Sequence, residues 1–195
     1  MFEIKIITAY PEMFPGTLAY SIMGKALKEK KFSLKTINLH DFGVDDRKSI
    51  DDEPFGGGPG MVIRPDVIEK ALLSINSSSN NSHRIYLSPS GKPLNQKKLK
   101  TLSQFNELII LCGHFEGVDQ RAINILNFEE ISVGDYILSG GESAAQVLLE
   151  GCIRLIPGVL GQPESLLEES FSNNLLEYPQ FTRPQVWKDA NSNNH

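Results

Sequence analysis

Apolar residues recur along the chain with two different periods, and the switching between them predicts its elements. Residues 3–8 form a short β-branched apolar run, read as a strand. Pro11 and Pro15 bracket a turn, and Leu18, Ile22, Met23, Ala26 and Leu27 make a helical stripe after it. Residues 32–39 alternate apolar and polar, the pattern of a second strand. A helix over 66–75 follows from the stripe Val67, Ile68, Ala71, Leu72 and Ile75. Residues 84–87 predict a third strand, ended by Ser88-Pro89-Ser90-Gly91, and Asn95 caps a basic helix running to Leu102. The run 107–112, ELIILC, has no polar face and reads as a strand buried on both sides. A turn at 113–117, a helix over 118–126 and a strand over 128–133 follow. In the stretch 131–161 a strand end passes through Gly134, Asp135 and Ser139-Gly140-Gly141 into a helix ending near Pro157-Gly158. Ala145, Leu148, Leu149, Cys152 and Ile156 mark its buried face.

Strands alternating with helices predict an α/β fold, a mostly parallel sheet flanked by helices on both faces. Ligands of such sheets sit beyond the carboxyl ends of the strands. Three strand ends carry glycine or turn residues: Ser88 to Gly91, Cys112-Gly113, and Gly134 with Gly140-Gly141. They can line one pocket at one sheet edge. A further loop, Gly56-Gly57-Gly58-Pro59-Gly60, suits either a plain turn or a backbone that approaches a ligand or partner.

At 195 residues the chain is long enough for one domain with an appendage and a sizeable core. No apolar run of about 18 residues and no signal-peptide pattern occurs, which points to a cytoplasmic protein with no membrane partner. Cys112 and Cys152 sit in apolar contexts as buried free thiols. The net charge of −5 argues, taken alone, against nucleic acid, although a local basic patch can coexist with an acidic total. Lys97, Lys98 and Lys100, with Lys92 nearby, form such a patch or simply a solvated helix face. Residues 76–82 are a Ser/Asn loop, and 191–195 cannot build a core.

Several familiar chemistries are excluded. No G-x-G-x-x-G opens a helix, no Gly-Lys-Ser/Thr follows the glycine loop, and no G-x-S-x-G is present. His40, His83, His114 and His195 are scattered without metal-ligand spacing. A sheet-edge pocket, a glycine loop, an arginine and several carboxylates remain.

Six blocks, in chain order, carry a resemblance: Pro11 to Phe14; Asp51 to Met61; Tyr86 to Pro89; Cys112 to Asp119; Ser132 to Glu142; and Ile156 to Gly161. Together they resemble the bacterial tRNA (guanine-N1)-methyltransferases, the TrmD family of the SPOUT superfamily. The resemblance implies a deep trefoil knot, which the usual topology rules disfavour. It implies a homodimer that binds S-adenosylmethionine and methylates N1 of the guanine 3′ of the anticodon in tRNAs where another guanine precedes it. Mg²⁺ is implied as an assisting ion. Residue by residue, the methyl donor falls to three loops: Tyr86, Leu87, Ser88 and Pro89; Gly113, Phe115, Glu116 and Gly117; and Val133, Gly134, Tyr136, Leu138, Gly140 and Gly141. Arg154 is implied to hold the guanine O6, and Glu169 stands at the position of the general base.

The chemistry needs such a pair. Guanine N1 carries a proton at neutral pH, so a carboxylate must accept it while a cation offsets charge moving to O6. The residues also permit plainer readings: Glu150 and Arg154 are spaced for a surface ion pair, and Glu169 sits in an acidic stretch. Three positions depart from the family pattern: Glu169 replaces aspartate, Ala144 replaces proline and Phe115 replaces tyrosine. The resemblance divides the chain into a knotted catalytic domain (1–160), a linker (161–177) and the start of a truncated C-terminal tRNA-binding domain (178–195). Two rival functions are a SPOUT enzyme acting on another RNA, and a donor-binding module without catalysis.

Overall fold

The computed structural model describes residues 1–76, 79, 81–160, 179 and 181–184. The chain divides into two compact units, Met1–Pro163 and Glu164–His195, and every element below lies in the first. Glu169 and most of the expected linker and C-terminal segment lie outside the described residues.

Five strands form one sheet in the order β2-β1-β6-β5-β7. They are β1 (Phe2–Thr8), β2 (Phe32–Asn38), β5 (Ser82–Pro93), β6 (Glu107–Cys112) and β7 (Glu129–Ser132), all paired in parallel. The short β3 (Asp51–Asp52) and β4 (Val62–Ile63) pair antiparallel apart from it. Because the main strands are parallel, their carboxyl ends share one edge. β6, at the centre, is buried at every position. Its side chains alternate between two cores: Leu108, Ile110 and Cys112 face one, Ile109 and Leu111 the other. That two-sided burial is why its sequence shows no polar face.

Helices cover both faces. The first core takes Met23 and Ala26 from α1 (Ser21–Lys28), Leu102 from α3 (Gln96–Leu102), and Ala145, Leu148, Leu149 and Cys152 from α5 (Glu142–Ile153). The second takes Val67, Ile68, Ala71 and Leu72 from α2 (Pro65–Leu73), and Ala122 and Ile123 from α4 (Gln120–Ile125). Asn95 caps α3 as expected, its side chain accepting from the Lys98 N–H at 2.9 Å.

Several expected boundaries move. The third strand does not end at Leu87. Leu87 and Lys92 both pair with Ile131, so residues 88–91 bulge out and the strand resumes through Pro93. The first helical stripe splits. Leu18 is buried in a 3-10 turn, Gly16–Ala19, and Ile22 is exposed at the start of α1. The helix expected from 118 starts at Gln120 because Val118 bridges to Ile63 and Asp119 caps the helix, accepting from the Arg121 N–H at 2.9 Å. α2 stops at Leu73 and α5 at Ile153, each finishing in tighter turns: Ile75 N–H donates to Leu72, and Ile156 N–H to Ile153. Lys98 is not part of a solvated face, since its Nζ meets Glu129 at 2.6 Å. Among the described residues no helix is long and apolar enough to cross a membrane.

Candidate functional site

The loops that follow β6 and β7, and the bulge within β5, meet at the carboxyl edge of three adjacent strands. They enclose a cavity of about 320 Å³. Tyr86, Leu87, Ser88 and Pro89 line it from β5. Gly113, Phe115, Glu116 and Gly117 line it from the loop after β6. Val133, Gly134, Tyr136, Leu138, Gly140 and Gly141 line it from the stretch between β7 and α5. All fourteen donor-site candidates read from the sequence thus share one cavity. Ser90, His114 and Ile137, from the same loops, and Ala144, from the first turn of α5, join the lining.

The glycines bring the loops this close. The Gly141 N–H donates to the Gly113 carbonyl at 2.9 Å. A Cβ on Gly141 would stand 2.9 Å from Cys112 Cα, and one on Gly113 would stand 3.0 Å from the Tyr86 ring. Gly117 adopts φ +113°, and Phe115 is held at φ +59°, a conformation uncommon for a residue with a side chain. The loop is pinned from outside: Glu116 N–H donates to Met61 and Ile63 N–H to Gly117, both at 3.0 Å. Ser132 Oγ donates to the Gly134 carbonyl at 3.0 Å, which tightens the third loop.

The walls combine apolar surface from Leu87, Ile131, Val133 and Ala144 with backbone groups at loop ends. This is a setting for a small molecule with both apolar and polar groups. Burial, and then the Glu130 charge, push the Tyr86 hydroxyl above its ordinary range, so it stays protonated. Cys112 lies beneath the cavity; burial, and then the neighbouring Glu142, push its thiol well above the ordinary range. It is therefore no nucleophile. Among the described residues no group of three His, Cys, Asp or Glu side chains is placed to hold a metal ion.

Glu142, at the start of α5, is 1% exposed. Its carboxylate accepts from Thr8 Oγ1 at 2.5 Å and meets His114 Nε2 at 2.7 Å. Glu142 stands three residues before Ala145 and seven before Leu149, on the buried stripe of α5, but a stripe traced through apolar residues alone leaves it out.

Arg154 does not line the cavity. It follows the last turn of α5, its N–H donating to the Glu150 carbonyl at 3.2 Å. It lies ten residues beyond Ala144, about 15 Å along the helix axis. One chain therefore separates the cavity from its candidate acceptor-binding arginine.

The family model described as tRNA (Guanine-1)-methyltransferase TrmD matches residues 2–194. The tRNA (guanine-N(1)-)-methyltransferase of Wolbachia pipientis subsp. Culex pipiens is 51% identical over 188 residues, covering 95% of this chain and 81% of that protein. That of Ehrlichia canis is 49% identical over 187 residues, with 95% and 80% covered. That of Pelagibacter ubique is 48% identical over 190 residues, with 97% and 82% covered.

Proposed function

The chain belongs to the tRNA (guanine-1)-methyltransferase family, and from that premise we propose that it transfers the methyl group of S-adenosylmethionine to N1 of the guanine 3′ of the anticodon, in tRNAs where another guanine precedes it. The observation that carries the reading is the convergence of three loops, from adjacent parallel strands, on one cavity of small-molecule size. Gly113 and Gly141 suit the site because a Cβ at either would press on Tyr86 or on the end of β6 and spread the loops. S-adenosylmethionine supplies an electrophilic methyl on a sulfonium. The chain's own part is to hold that methyl in line with the acceptor, which yields much of the rate.

Arg154 binds guanine O6 and stabilises the negative charge gathering there as N1 loses its proton. Glu169, one methylene longer than the aspartate of the family pattern, accepts that proton. The target base leaves its stack to reach the site. The distance along α5 favours a homodimer in which the Arg154 of one copy meets the donor cavity of the other. Exposed apolar side chains on neighbouring elements, Met13, Tyr20, Ile22 and Val147, offer the surface for it. The same reading makes 1–160 the knotted catalytic domain, 161–177 a linker and 178–195 the start of a tRNA-binding domain. It makes the enzyme cytoplasmic, with Mg²⁺ assisting the reaction.

The test is methyl transfer from labelled S-adenosylmethionine to tRNA transcripts with and without the guanine pair. Arg154→Ala is expected to lower kcat by about 10²–10³, and Glu169→Gln by about 10²–10⁴. Full turnover by either variant removes that residue from the mechanism. Equal transfer to transcripts lacking the pair removes the assigned substrate.

A further inference from the structure

Three elements meet at Glu142. Thr8, at the end of β1, donates its hydroxyl to Oε1 at 2.5 Å, and the same hydroxyl oxygen accepts from the Tyr10 N–H at 2.9 Å. His114, from the loop after β6, meets Oε2 at 2.7 Å. The circuit closes through the rings of Tyr10 and His114, whose centroids are 4.7 Å apart at 55°. Glu142 and Thr8 are 1% and 0% exposed and touch no part of the cavity, whereas His114 lines it. Gly140 passes so close that a Cβ would collide with both the His114 ring and the Glu142 carboxylate. A buried carboxylate with two partners on two other elements fixes those elements relative to each other, because losing either partner leaves an unsatisfied buried group. A carboxylate that already accepts from Thr8 constrains His114 to present Nε2–H to it, which leaves Nδ1 as the ring's other polar atom.

We propose that His114 is a binding residue for the methyl donor, and that Glu142 and Thr8 are the positioning residues that set its ring against the cavity. The inference rests on the assignment of the cavity to the methyl donor. It adds a polar side chain to the fourteen cavity residues implied by the family resemblance, and a buried relay behind it. Glu142 then acts on donor affinity without touching the donor, and does so only through His114.

The experiment is a double-mutant cycle read by calorimetry with S-adenosylhomocysteine, together with steady-state KM for S-adenosylmethionine and for tRNA. Glu142→Gln keeps the shape of the side chain and is expected to weaken S-adenosylhomocysteine binding roughly tenfold, as is His114→Ala. The doubly substituted protein is expected to bind no more weakly than His114→Ala alone. KM for tRNA stays within about twofold throughout, because a change confined to the donor leaves the acceptor's binding energy intact. Thr8→Val, which removes the hydroxyl from the relay, is expected to weaken binding, and Thr8→Ser to restore it. Should Glu142→Gln not fold, the Thr8 pair carries the same test. Additive losses in the double variant, or lower thermal stability with donor affinity unchanged, overturn the relay. Failure of the unaltered chain to bind S-adenosylhomocysteine overturns the cavity assignment itself, and this inference with it.

Discussion

The Gly141 N–H donates to the Gly113 carbonyl at 2.9 Å, joining the stretch before α5 to the loop after β6. The bond holds two walls of the cavity together, and there is no room beside it: a Cβ on Gly141 would lie 2.9 Å from Cys112 Cα, a backbone atom of the central strand. Gly141→Ala must therefore open the loops rather than push aside a flexible side chain. We expect donor affinity to fall by at least roughly tenfold, measured by calorimetry with S-adenosylhomocysteine. Unchanged affinity would mean that the two loops need not touch.

Gly60 makes a comparable approach from outside. Its φ is +82°, and an added Cβ would collide with the Glu116 side chain, one of the cavity residues. Gly57, three residues earlier, has φ +86° and nothing within 4 Å of its added Cβ. The pair separates strain from contact. Both alanine variants bear the left-handed backbone cost of about 1–2 kcal/mol, seen as a lower Tm, but only Gly60→Ala should weaken donor binding. Equal effects on affinity would show that loop strain, not Glu116, transmits the change.

α5 links the cavity to the core, and its stability rests on one face. Leu148 and Leu149 are fully buried in the cluster beneath β6 and β5. Leu148→Ala is expected to cost about 2–5 kcal/mol, read from the midpoint of urea unfolding at constant slope. A cost below about 1 kcal/mol would mean that the helix repacks to fill the gap.

Much of this arrangement was legible in the sequence because it follows from short-range rules. β6 declared itself by having no polar face, α3 by Asn95, and the shared sheet edge by three glycine-bearing strand ends. The bulge at 88–91 was not legible: a Ser-Pro-Ser-Gly run reads as a strand end, and only pairing of Ile131 with both Leu87 and Lys92 reveals that the strand resumes. The partners of Glu142 were not legible either: its place on the α5 stripe, three residues before Ala145, puts it on the buried face, but Thr8 and His114 lie 134 and 28 residues away. The distance between Arg154 and the pocket was not legible, although both belong to the stretch 131–161. In the fold, α5 carries it about 15 Å from Ala144, so neighbours in sequence became opposite ends of a rod.

Glu129 sets a pH dependence. Burial alone would raise its pKa, but hydrogen bonds from Lys98 and His83, and then their charges, outweigh that and hold it below the ordinary value. A depressed carboxylate contributes stability above its unfolded pKa, near 4.3, and that contribution is lost as pH falls through the folded value. Glu129→Gln should therefore lower Tm at neutral pH and flatten its decline on acidification below about pH 4.5. Parallel Tm curves for the two proteins across that range would show that the lysine and histidine do not stabilise the fold through this charge.

The separation along α5 yields a test of subunit sharing. If the donor cavity of one copy works with the Arg154 of the other, Arg154→Ala protein retains a sound cavity but no acceptor arginine. Gly141→Ala protein has the reverse defect. Refolding the two together in equal amounts forms mixed dimers as about half of the population. Each mixed dimer holds one site made of a sound cavity and a sound arginine, and one site with neither. Assayed at a donor concentration well below its Kd, methyl transfer to tRNA should then rise to about a quarter of the unaltered level, although Arg154→Ala alone is nearly inactive and Gly141→Ala alone retains at most about a tenth. If cavity and arginine act within one copy, each site of a mixed dimer keeps one defect, and mixing restores nothing. The activity of the mixture, measured against the two separate variants at the same total concentration, decides between these arrangements.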